Sequence, residues 1–236
     1  MQFPIKDQIK KRIKQYWGPG VYLKLKRIYY SVINIVNVQK KIIGYGNKIQ
    51  YEGAFLKNVV FDIRGNNSRV HIHKNTTILN TKVTITGDQH ELIIGRDSLL
   101  QDAQLCYEDS NCSIRIGRGT MIFKGVRISA VEPGRRVDIG EKTMIGEGSD
   151  IRTTDSHSII DLNSGKRINP GGDVNIGDRV WITKDVNILK GVTIGDDVVI
   201  GIRSLVTKDI PANCIAAGAP ARVARKNISW TWERID

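Results

Sequence analysis

A histidine with a nearby aspartate, His157 and Asp155, stands in a polar segment that could carry acid–base chemistry. The segment spans residues 152–175, reads RTTDSHSIIDLNSGKRINPGGDVN, and is rich in Gly, Asn, Asp and Ser. A neutral imidazole can take a proton from a hydroxyl near neutral pH, and a neighbouring carboxylate can orient the ring. The spacing alone also allows a loop histidine without a chemical role and an aspartate that only caps the loop.

An indole follows this segment at Trp181, one residue before the aliphatic position Ile182. The residue before such a position in a short strand points outward, because side chains alternate along a strand. A large aromatic surface in water is unfavourable unless something covers it. We therefore predict that Trp181 packs on a ligand or on a neighbouring subunit, and we favour a role in a site.

A ladder of aliphatic residues spaced by six supplies the scaffold for these side chains. It runs without a break through Ile176, Ile182, Ile188, Ile194, Ile200 and Val206. A period of six fits neither a helix nor a simple strand alternation, so it predicts repeats that stack on one another. Three short extended sides, each one hexapeptide, would close a coil, so that Ile176 lies over Ile194 in a parallel strand. The ladder therefore predicts an all-β solenoid.

Looser rungs of the same kind extend the repeat upstream, starting from residue 47. They are Ile72, Ile78, Ile94, Leu100, Ile116, Ile122, Ile128, Ile139, Ile145 and Ile151. Glycine often follows a rung, where we expect it to permit a close or unusual backbone at a corner. The rung after Ile151 would be His157, and the ladder resumes only at Ile176, so the polar segment must leave the coil. An irregular, ionisable loop on a rigid scaffold is where function tends to lie.

The order of motifs after residue 151 resembles that of the left-handed parallel β-helix, or hexapeptide-repeat, acyltransferases. The chain carries in order TDSH, NIGDRVWI, ILKGVTIG, VVIG, VTKDIP and AAGAPARVARK. This order is similar to that of maltose and galactoside acetyltransferases and of bacterial capsule O-acetyltransferases. The tail NISWTWER is similar to the ending of sialic-acid capsule O-acetyltransferases. The resemblance covers about residues 70–228 and implies a left-handed parallel β-helix of hexapeptide repeats.

The resemblance also implies an acetyl-CoA-dependent O-acetyltransferase of a bacterial surface glycan (capsule or lipopolysaccharide) or of its precursor. The family's general base falls on His157, and its active-site tryptophan falls on Trp181. The acetyl-CoA contacts fall on Lys184, Ile202, Arg203, Ser204, Thr207, Lys208, Ala219, Arg222 and Arg225. As contacts of the acceptor we add Arg152, Asp155, Arg167 and Asn169. No metal is expected, and the family implies a homotrimer whose sites combine residues of neighbouring chains.

Two features depart from the family pattern. Ile202-Arg203 stands where the family has Ala-Gly before a serine, so the groove for the acyl-CoA can differ at this corner. The helical N-terminal domain of the maltose acetyltransferases, which contributes acceptor contacts there, has no counterpart in the sequence. The acceptor specificity of that group therefore does not carry over.

The N-terminal part of the chain is far more basic than the repeat. The formal net charge is +12, and residues 1–48 hold eleven Lys and Arg against Asp7 alone. A basic head on a nearly neutral body favours a docking segment over binding to nucleic acid. The stretch IKDQIKKRIKQYW places its apolar residues on one helical face. Residues 1–45 therefore either dock on an anionic membrane surface or cap the solenoid.

We divide the chain into a basic N-terminal extension (1–46), a β-helix (47–210) with an active-site loop (152–175), and a C-terminal coenzyme A-binding tail (211–236). No stretch has the apolar length of a signal peptide or of a membrane span. We therefore predict a cytoplasmic protein, which is peripheral at the inner face of the membrane if the extension docks there.

Three other functions compete with this interpretation. One is N-acetylation of a nucleotide-linked amino sugar, which would share the base and the acetyl donor. Another is a carbonic anhydrase on the same fold, which needs three converging histidines; His71, His73 and His90 lie far upstream of His157. The third is a non-catalytic β-helix scaffold, against which the intact His157, Trp181 and VTKDIP argue.

Overall fold

A computed structural model describes residues 38–51 and 53–236, which form a parallel β-solenoid. The predicted N-terminal amphipathic helix lies outside the described residues. Within the described ranges there is no helix long and apolar enough to cross a membrane. The first strand begins at Val38, ahead of the boundary between residues 46 and 47 that the sequence suggested.

Three sheets form the sides of the solenoid, and successive strands along the chain visit them in turn. Sheet A contains β1 (Val38–Ile43), β4 (Val59–Arg64), β7 (Lys82–Thr86), β10 (Gln104–Tyr107), β13 (Arg127–Ala130), β16 (Asp150–Arg152), β19 (Asn187–Ile188) and β22 (Leu205–Val206). Sheet B contains β2 (Lys48–Gln50), β5 (Arg69–Ile72), β8 (Glu91–Ile94), β11 (Ser113–Ile116), β14 (Arg136–Ile139), β17 (Val174–Ile176) and β20 (Thr193–Ile194). Sheet C contains β3 (Phe55–Lys57), β6 (Thr77–Leu79), β9 (Leu99–Gln101), β12 (Met121–Ile122), β15 (Met144–Ile145), β18 (Trp181–Ile182), β21 (Val199–Ile200), β23 (Cys214–Gly218) and β24 (Ala221–Lys226). Strand pairs are parallel except β23 with β24, which form an antiparallel hairpin at the C-terminal end.

The aliphatic ladder forms the core, as predicted. Ile176 pairs with Ile194 in sheet B, and Ile182 pairs with Ile200 in sheet C. The upstream rungs join the same columns; in sheet B the column contains Ile72, Ile94, Ile116, Ile139, Ile176 and Ile194. These side chains are buried, and burial of such aliphatic surface is the main stabilising contribution of a fold with few aromatic residues.

The predicted coil of three hexapeptides holds for the last coils and is wrong for the earlier ones, which are longer. Asn187 pairs with Leu205, three hexapeptides further along the chain, whereas Val60 pairs with Lys82, beyond that spacing. One reason is that the early strands of sheet A are longer, with six residues in β4 and two in β19. The corner between sheets A and B is also long in the early coils, where residues 65–68 join β4 to β5. The polar excursion enlarges this same corner.

The glycine after a rung is required by the close approach of neighbouring coils. At Gly117, a β-carbon would lie 2.4 Å from the carbonyl carbon of Gly140 in the next coil. The left-handed backbone occurs two residues after such a glycine, as at Asp97 and Gly119. The sequence suggested that glycine after a rung permits either a close contact or an unusual backbone angle. The structure supports the close contact, because the positive φ angles fall two residues later.

Buried hydroxyl groups connect the coils inside the solenoid. The Thr120 hydroxyl donates to the carbonyl of Gly140 at 2.8 Å and accepts the N–H of Thr143 at 3.2 Å. The Thr143 hydroxyl repeats the pattern, because it donates to Gly177 and accepts from Val180. Small polar side chains are therefore tolerated in the interior, since each satisfies backbone groups at a corner.

His90 is a buried imidazole at the corner between sheets A and B. Its Nδ1 accepts the N–H of Cys112 at 3.2 Å, so the proton is on Nε2, which lies 3.1 Å from the carbonyl oxygen of Thr86. The ring also lies against Tyr107, with ring centroids 5.3 Å apart. Burial lowers the pKa of His90, because the charged ring is unfavourable where water does not reach it.

We expect the fold to lose stability as the pH falls below about 6.5, the pKa of histidine in an unfolded chain. The unfolded state then binds a proton that His90 in the folded state does not bind, so protonation favours unfolding. Thermal melting at pH 7.5, 6.0 and 5.0 measures this effect. His90→Gln should be less stable at every pH but should show a weaker dependence on pH. Equal pH dependence in both proteins would contradict the prediction.

Candidate active site

The excursion leaves the solenoid between sheets A and B, where three successive coils bring distant parts of the sequence together. β16 ends at Arg152 and β17 begins at Val174, so residues 153–173 form the loop. At the same corner, the preceding coil carries Glu132 between β13 and β14. The following coil carries Lys190 between β19 and β20. The loop is therefore flanked by one acidic and one basic side chain.

Glu132 anchors one side of the loop. Its carboxylate accepts two hydrogen bonds from the Arg167 guanidinium, at 2.6 and 3.0 Å. It also accepts the hydroxyl of Thr154 at 2.6 Å and the N–H of Gly171 at 2.9 Å. The bonds from Arg167 are the main reason why the pKa of Glu132 falls to about 2. Glu132 therefore stays charged and holds both ends of the loop.

Asn169 is the central residue of the loop and is 8% exposed. Its side-chain oxygen accepts the N–H of Ile159 at 2.7 Å and the Nε–H of Arg167 at 3.3 Å. Its amide nitrogen donates to the Asp155 carboxylate at 3.0 Å and to the carbonyl of His157 at 2.8 Å. All four hydrogen-bonding positions of this side chain are thereby used within the loop.

His157 is held through its backbone while its side chain is exposed. The His157 N–H donates to the carbonyl of Asp155 at 2.9 Å, closing a tight turn around Ser156, whose φ is 69°. The His157 carbonyl accepts the amide of Asn169, as described above. Over residues 38–51 and 53–236, no group forms a hydrogen bond or ion pair with the imidazole ring. The ring is therefore available to a substrate.

Asp155 uses its carboxylate to hold the loop. Its Oδ2 accepts from Lys190 Nζ at 2.5 Å and from the amide of Asn169 at 3.0 Å. The bond from Lys190 is the main cause of the lowered pKa of Asp155. Lys190 also donates to the carbonyl of Asn169 at 2.8 Å. No contact within the described residues joins the Asp155 carboxylate to the imidazole ring. Asp155 therefore positions His157 through the backbone turn and not through a bond to the ring.

Arg152 and Arg167 both pair with carboxylates. Arg152 donates twice to Asp150, at 3.0 and 2.7 Å, and its side chain remains 42% exposed. Arg167 uses Nε, NH1 and NH2 for Asn169 and Glu132. Of these two arginines, Arg152 is thus the more open to a ligand.

Trp181 lies on the outer face of sheet C, away from the corner that carries His157. It is 37% exposed, and its ring packs against Trp230 of the C-terminal tail, with centroids 5.8 Å apart. The Trp230 indole N–H donates to the carbonyl of Arg179 at 2.5 Å, and Ser229 bonds to Asp197 at 3.0 Å. The tail therefore covers one side of Trp181. No contact within the described chain joins Trp181 to His157.

Several of the residues predicted to bind acetyl-CoA lie at the corner between sheets C and A. Lys184 follows β18, and the Arg203 N–H, after β21 in the next coil, donates to the Lys184 carbonyl at 3.0 Å. Exposed Ile202 precedes Arg203 in the same turn. Buried Ser204 accepts the N–H of Gly218 at 3.1 Å, so the hairpin turn that contains Ala219 lies beside this corner.

Arg203 retains the backbone conformation of this corner although it replaces a glycine of the family pattern. Its φ is 57°, and Asp185 has the same φ at the equivalent position one coil earlier. The left-handed region is unfavourable for most side chains. The Arg203 guanidinium is 3.9 Å from the Asp185 carboxylate and is largely exposed. The substitution therefore adds a cation to the corner and leaves the chain path unchanged.

The other predicted acetyl-CoA contacts lie on two further parts of the surface. Thr207 and Lys208 follow β22, on the opposite side of sheet A from Arg203, and both are exposed. Arg222 and Arg225 are exposed on β24, opposite Ala217 and Ile215 of β23. The structure thus brings Lys184, Ile202, Arg203, Ser204 and Ala219 together at one corner. The other predicted acetyl-CoA contacts lie elsewhere around the C-terminal coils.

The upstream histidines do not converge. His71 of β5 and His73, which directly follows that strand, stack on each other with centroids 4.1 Å apart. Both ring nitrogens of buried His90 are in hydrogen bonds. The described residues contain no group of three His, Cys, Asp or Glu side chains arranged to hold a metal ion.

Sequence reasoning missed Glu132 and Lys190, the residues that hold the loop from outside. Glu132 is 35 positions from Arg167, and Lys190 is 35 positions from Asp155. Their position in the repeat was a usable signal. Glu132 lies one coil before the loop and Lys190 one coil after it, both at the corner where the loop leaves the solenoid. Recognising it would have required the true coil lengths, which the six-residue ladder does not give for the early coils.

Comparison with known proteins identifies the family. No protein-family model matches the chain, and no curated protein sequence matches it. Among solved structures, the polySia-specific acetyltransferase NeuO is 32% identical, with a TM-score of 0.76 over 85% of this chain and 91% of NeuO. The polysialic acid O-acetyltransferase OatWY is 29% identical, with a TM-score of 0.69 over 84% of this chain and 92% of OatWY. The stacked rungs, the exposed loop histidine and this similarity over nearly the whole solenoid show that the chain belongs to the hexapeptide-repeat acetyltransferases and is an acyltransferase.

Proposed function

We propose that this chain is an acetyl-CoA-dependent O-acetyltransferase of an acidic bacterial surface glycan, with polysialic acid or its precursors as the leading acceptor class. The observation that carries the proposal is the similarity, over more than four fifths of the chain, to two acetyltransferases of polysialic acid. The exposed ring of His157, on a loop held from both sides, supplies a group suited to the chemistry.

In the proposed reaction, His157 acts as the general base. The imidazole takes the proton of the acceptor hydroxyl while the hydroxyl oxygen forms a bond to the thioester carbonyl carbon. The tetrahedral species then loses the sulfur of coenzyme A as the C–S bond breaks. His157 returns its proton to this sulfur, so the products are the acetyl ester and the free thiol. Both substrates are bound together, and no covalent enzyme intermediate is needed.

The acetyl donor is proposed to bind along the corner between sheets C and A and the C-terminal hairpin. Lys184 and Arg203 are exposed cations on two successive coils of this corner, and Arg222 is an exposed cation on the hairpin. Cations at such positions suit the phosphates of coenzyme A. Trp181, between this corner and the tail, has an indole N–H without an acceptor in the described chain and is proposed to line the site.

A second copy of the chain is proposed to complete the site, because His157 and Trp181 lie on different sides of one solenoid. Outward-facing apolar residues run in register along sheet C: Leu99, Met121, Met144, Trp181, Val199 and Ile215. The equivalent column on sheet A is mostly polar, with Lys82, Gln104, Arg127, Asp150 and Asn187 between the apolar Val60 and Leu205. The loop also exposes aliphatic side chains, among them Leu162 at 95%. An apolar face and an apolar loop on one chain favour self-association, and we propose a homotrimer.

The membrane location stays a separate proposal. Lysines and arginines are concentrated in residues 1–48, mostly outside the described part of the chain, and their charge supports docking on an anionic membrane surface. The glycan precursors assembled at such a surface would then be close to the site.

Release of the coenzyme A thiol from acetyl-CoA tests the function. The panel contains oligosialic acid, neutral capsule oligosaccharides and a nucleotide-linked amino sugar. We expect release that depends on oligosialic acid and a product that reacts with hydroxylamine, because esters react and amides do not. Turnover of the amino sugar alone, with a product stable to hydroxylamine, would favour the N-acetyltransferase. Failure to bind acetyl-CoA would favour the non-catalytic scaffold.

A further inference from the structure

We propose that Glu132 and Lys190 are positioning residues of the enzyme, which clamp the His157 loop from the coils before and after it. We call the set Glu132, Asp155, Arg167, Asn169 and Lys190 the loop clamp. This inference rests on the proposed role of His157 as the general base. It assigns roles to two residues outside the loop, and it changes the roles expected for three residues within it.

Each end of the clamp is an ion pair between the rigid solenoid and the loop. Glu132 pairs with Arg167 through two parallel hydrogen bonds, the arrangement in which arginine and carboxylate fix each other's orientation. Lys190 pairs with Asp155 and also donates to the carbonyl of Asn169. Both pairs cross from one coil to another, so they tie the loop to both of its neighbours in the stack.

Asn169 connects the two ion pairs to the histidine. It accepts from Arg167 on one side, donates to Asp155 on the other, and donates with the same amide to the backbone of His157. The opposite side of His157 is fixed by the turn from Asp155 to its own N–H. The position of His157 therefore depends on Asp155 and Asn169, and these depend on Lys190 and Glu132.

The polar groups of the clamp are already used in hydrogen bonds within it, which argues against direct contacts between these residues and the acceptor. Asn169 has no remaining donor or acceptor, and the Arg167 guanidinium is engaged by Glu132 and Asn169. A substrate that bound these groups would have to break bonds that hold the base in place. Arg152 is the more exposed of the two arginines among the predicted acceptor contacts, and it lies outside the clamp, so the acceptor is expected to meet Arg152 and His157 rather than the clamp.

Precise placement of a base has a large effect on rate, since a displacement of about 1 Å can cost about 10²-fold. The clamp acts on the position of the imidazole and not on the binding of acetyl-CoA. Its loss should therefore lower kcat and leave the KM for acetyl-CoA nearly unchanged. This division between kcat and KM separates positioning from a general loss of structure.

The test compares Lys190→Met, Lys190→Arg and Glu132→Gln in the full chain, with oligosialic acid and acetyl-CoA as substrates. We expect Lys190→Met to lower kcat by about 10²-fold, with the thermal midpoint and the KM for acetyl-CoA unchanged. Lys190→Arg retains the cation and should restore most of the rate. Glu132→Gln should behave like Lys190→Met, and the double variant should be little worse than either, because both changes release one loop.

Matched controls lie on parts of the solenoid away from the loop. Glu141 pairs with Arg118 at 3.1 Å on the corner between sheets B and C, so Glu141→Gln removes a comparable ion pair. Lys82→Met removes an exposed lysine from β7. Both controls should keep the wild-type kcat.

A second readout does not require catalysis. Lys166 is exposed within the loop, and trypsin cleavage after it, followed by mass spectrometry, reports how often the loop opens. Faster cleavage in Lys190→Met and Glu132→Gln, but not in the controls, supports the clamp even if no glycan is acetylated, in which case the proposed function alone fails. Wild-type cleavage rates, or an unchanged kcat in an active enzyme, would overturn the clamp.

Discussion

His157→Ala is expected to lower kcat for glycan acetylation by about 10³-fold, within the range that general-base catalysis contributes. The reason is that the acceptor hydroxyl is a poor nucleophile near neutral pH unless its proton is removed as it attacks. The ring makes no hydrogen bond in the described chain, so its removal leaves no buried group unsatisfied. We therefore expect an unchanged thermal midpoint and an unchanged Kd for acetyl-CoA, measured by calorimetry. His71→Ala, which removes another exposed imidazole, is the matched control.

Mixed oligomers test whether His157 and Trp181 act from different chains. His157→Ala and Trp181→Ala are each expected to be nearly inactive alone. In trimers formed at random from equal amounts of the two variants, about a quarter of the sites would pair an intact His157 with an intact Trp181 of the neighbour. Recovery of about a quarter of the wild-type activity therefore supports the site between copies. An inactive mixture would place both residues in the site of one chain.

Gly117→Ala is expected to destabilise the solenoid by about 3 kcal/mol, at the upper end of the cost of overpacking. The new β-carbon would lie 2.4 Å from the carbonyl carbon of Gly140, 2.5 Å from its oxygen and 2.6 Å from the nitrogen of Glu141. These are backbone atoms of the adjacent coil, so no side chain can move aside to relieve the contact. The corresponding fall in the thermal midpoint is roughly 6–12 °C for a chain of this size.

Gly134→Ala provides the contrasting control for this contact. Its φ is 75°, and a β-carbon there would have no neighbour within 4 Å. The cost is then that of the left-handed backbone alone, about 1 kcal/mol. If the two variants lose the same stability in urea unfolding, the contact between coils is not what requires glycine at residue 117.

The ladder predicted the class of fold because its physical basis is local. Each aliphatic rung is buried only if a similar rung lies above and below it, so regular spacing at Ile176, Ile182 and Ile188 requires stacking. The same regularity identified the excursion, since a polar His157 in place of a rung cannot enter the core. The length of the early coils was not predictable in this way. Their rungs are regular within a coil, but their corners vary in length and carry no aliphatic marker.

For the site, the sequence by itself identified a loop with an ionisable His157 and an outward-facing Trp181. The tertiary structure decided what holds that loop. Glu132 and Lys190 meet Arg167 and Asp155 because stacking brings residues 35 positions apart to one corner, and no local pattern encodes such a meeting. It also decided that Asp155 and Asn169 serve the loop, since burial and saturated hydrogen bonds exist only once the coils are assembled. The residue types determine which side chains could act in acid–base chemistry. The packing of the coils determines which of those side chains are left without partners and can do so.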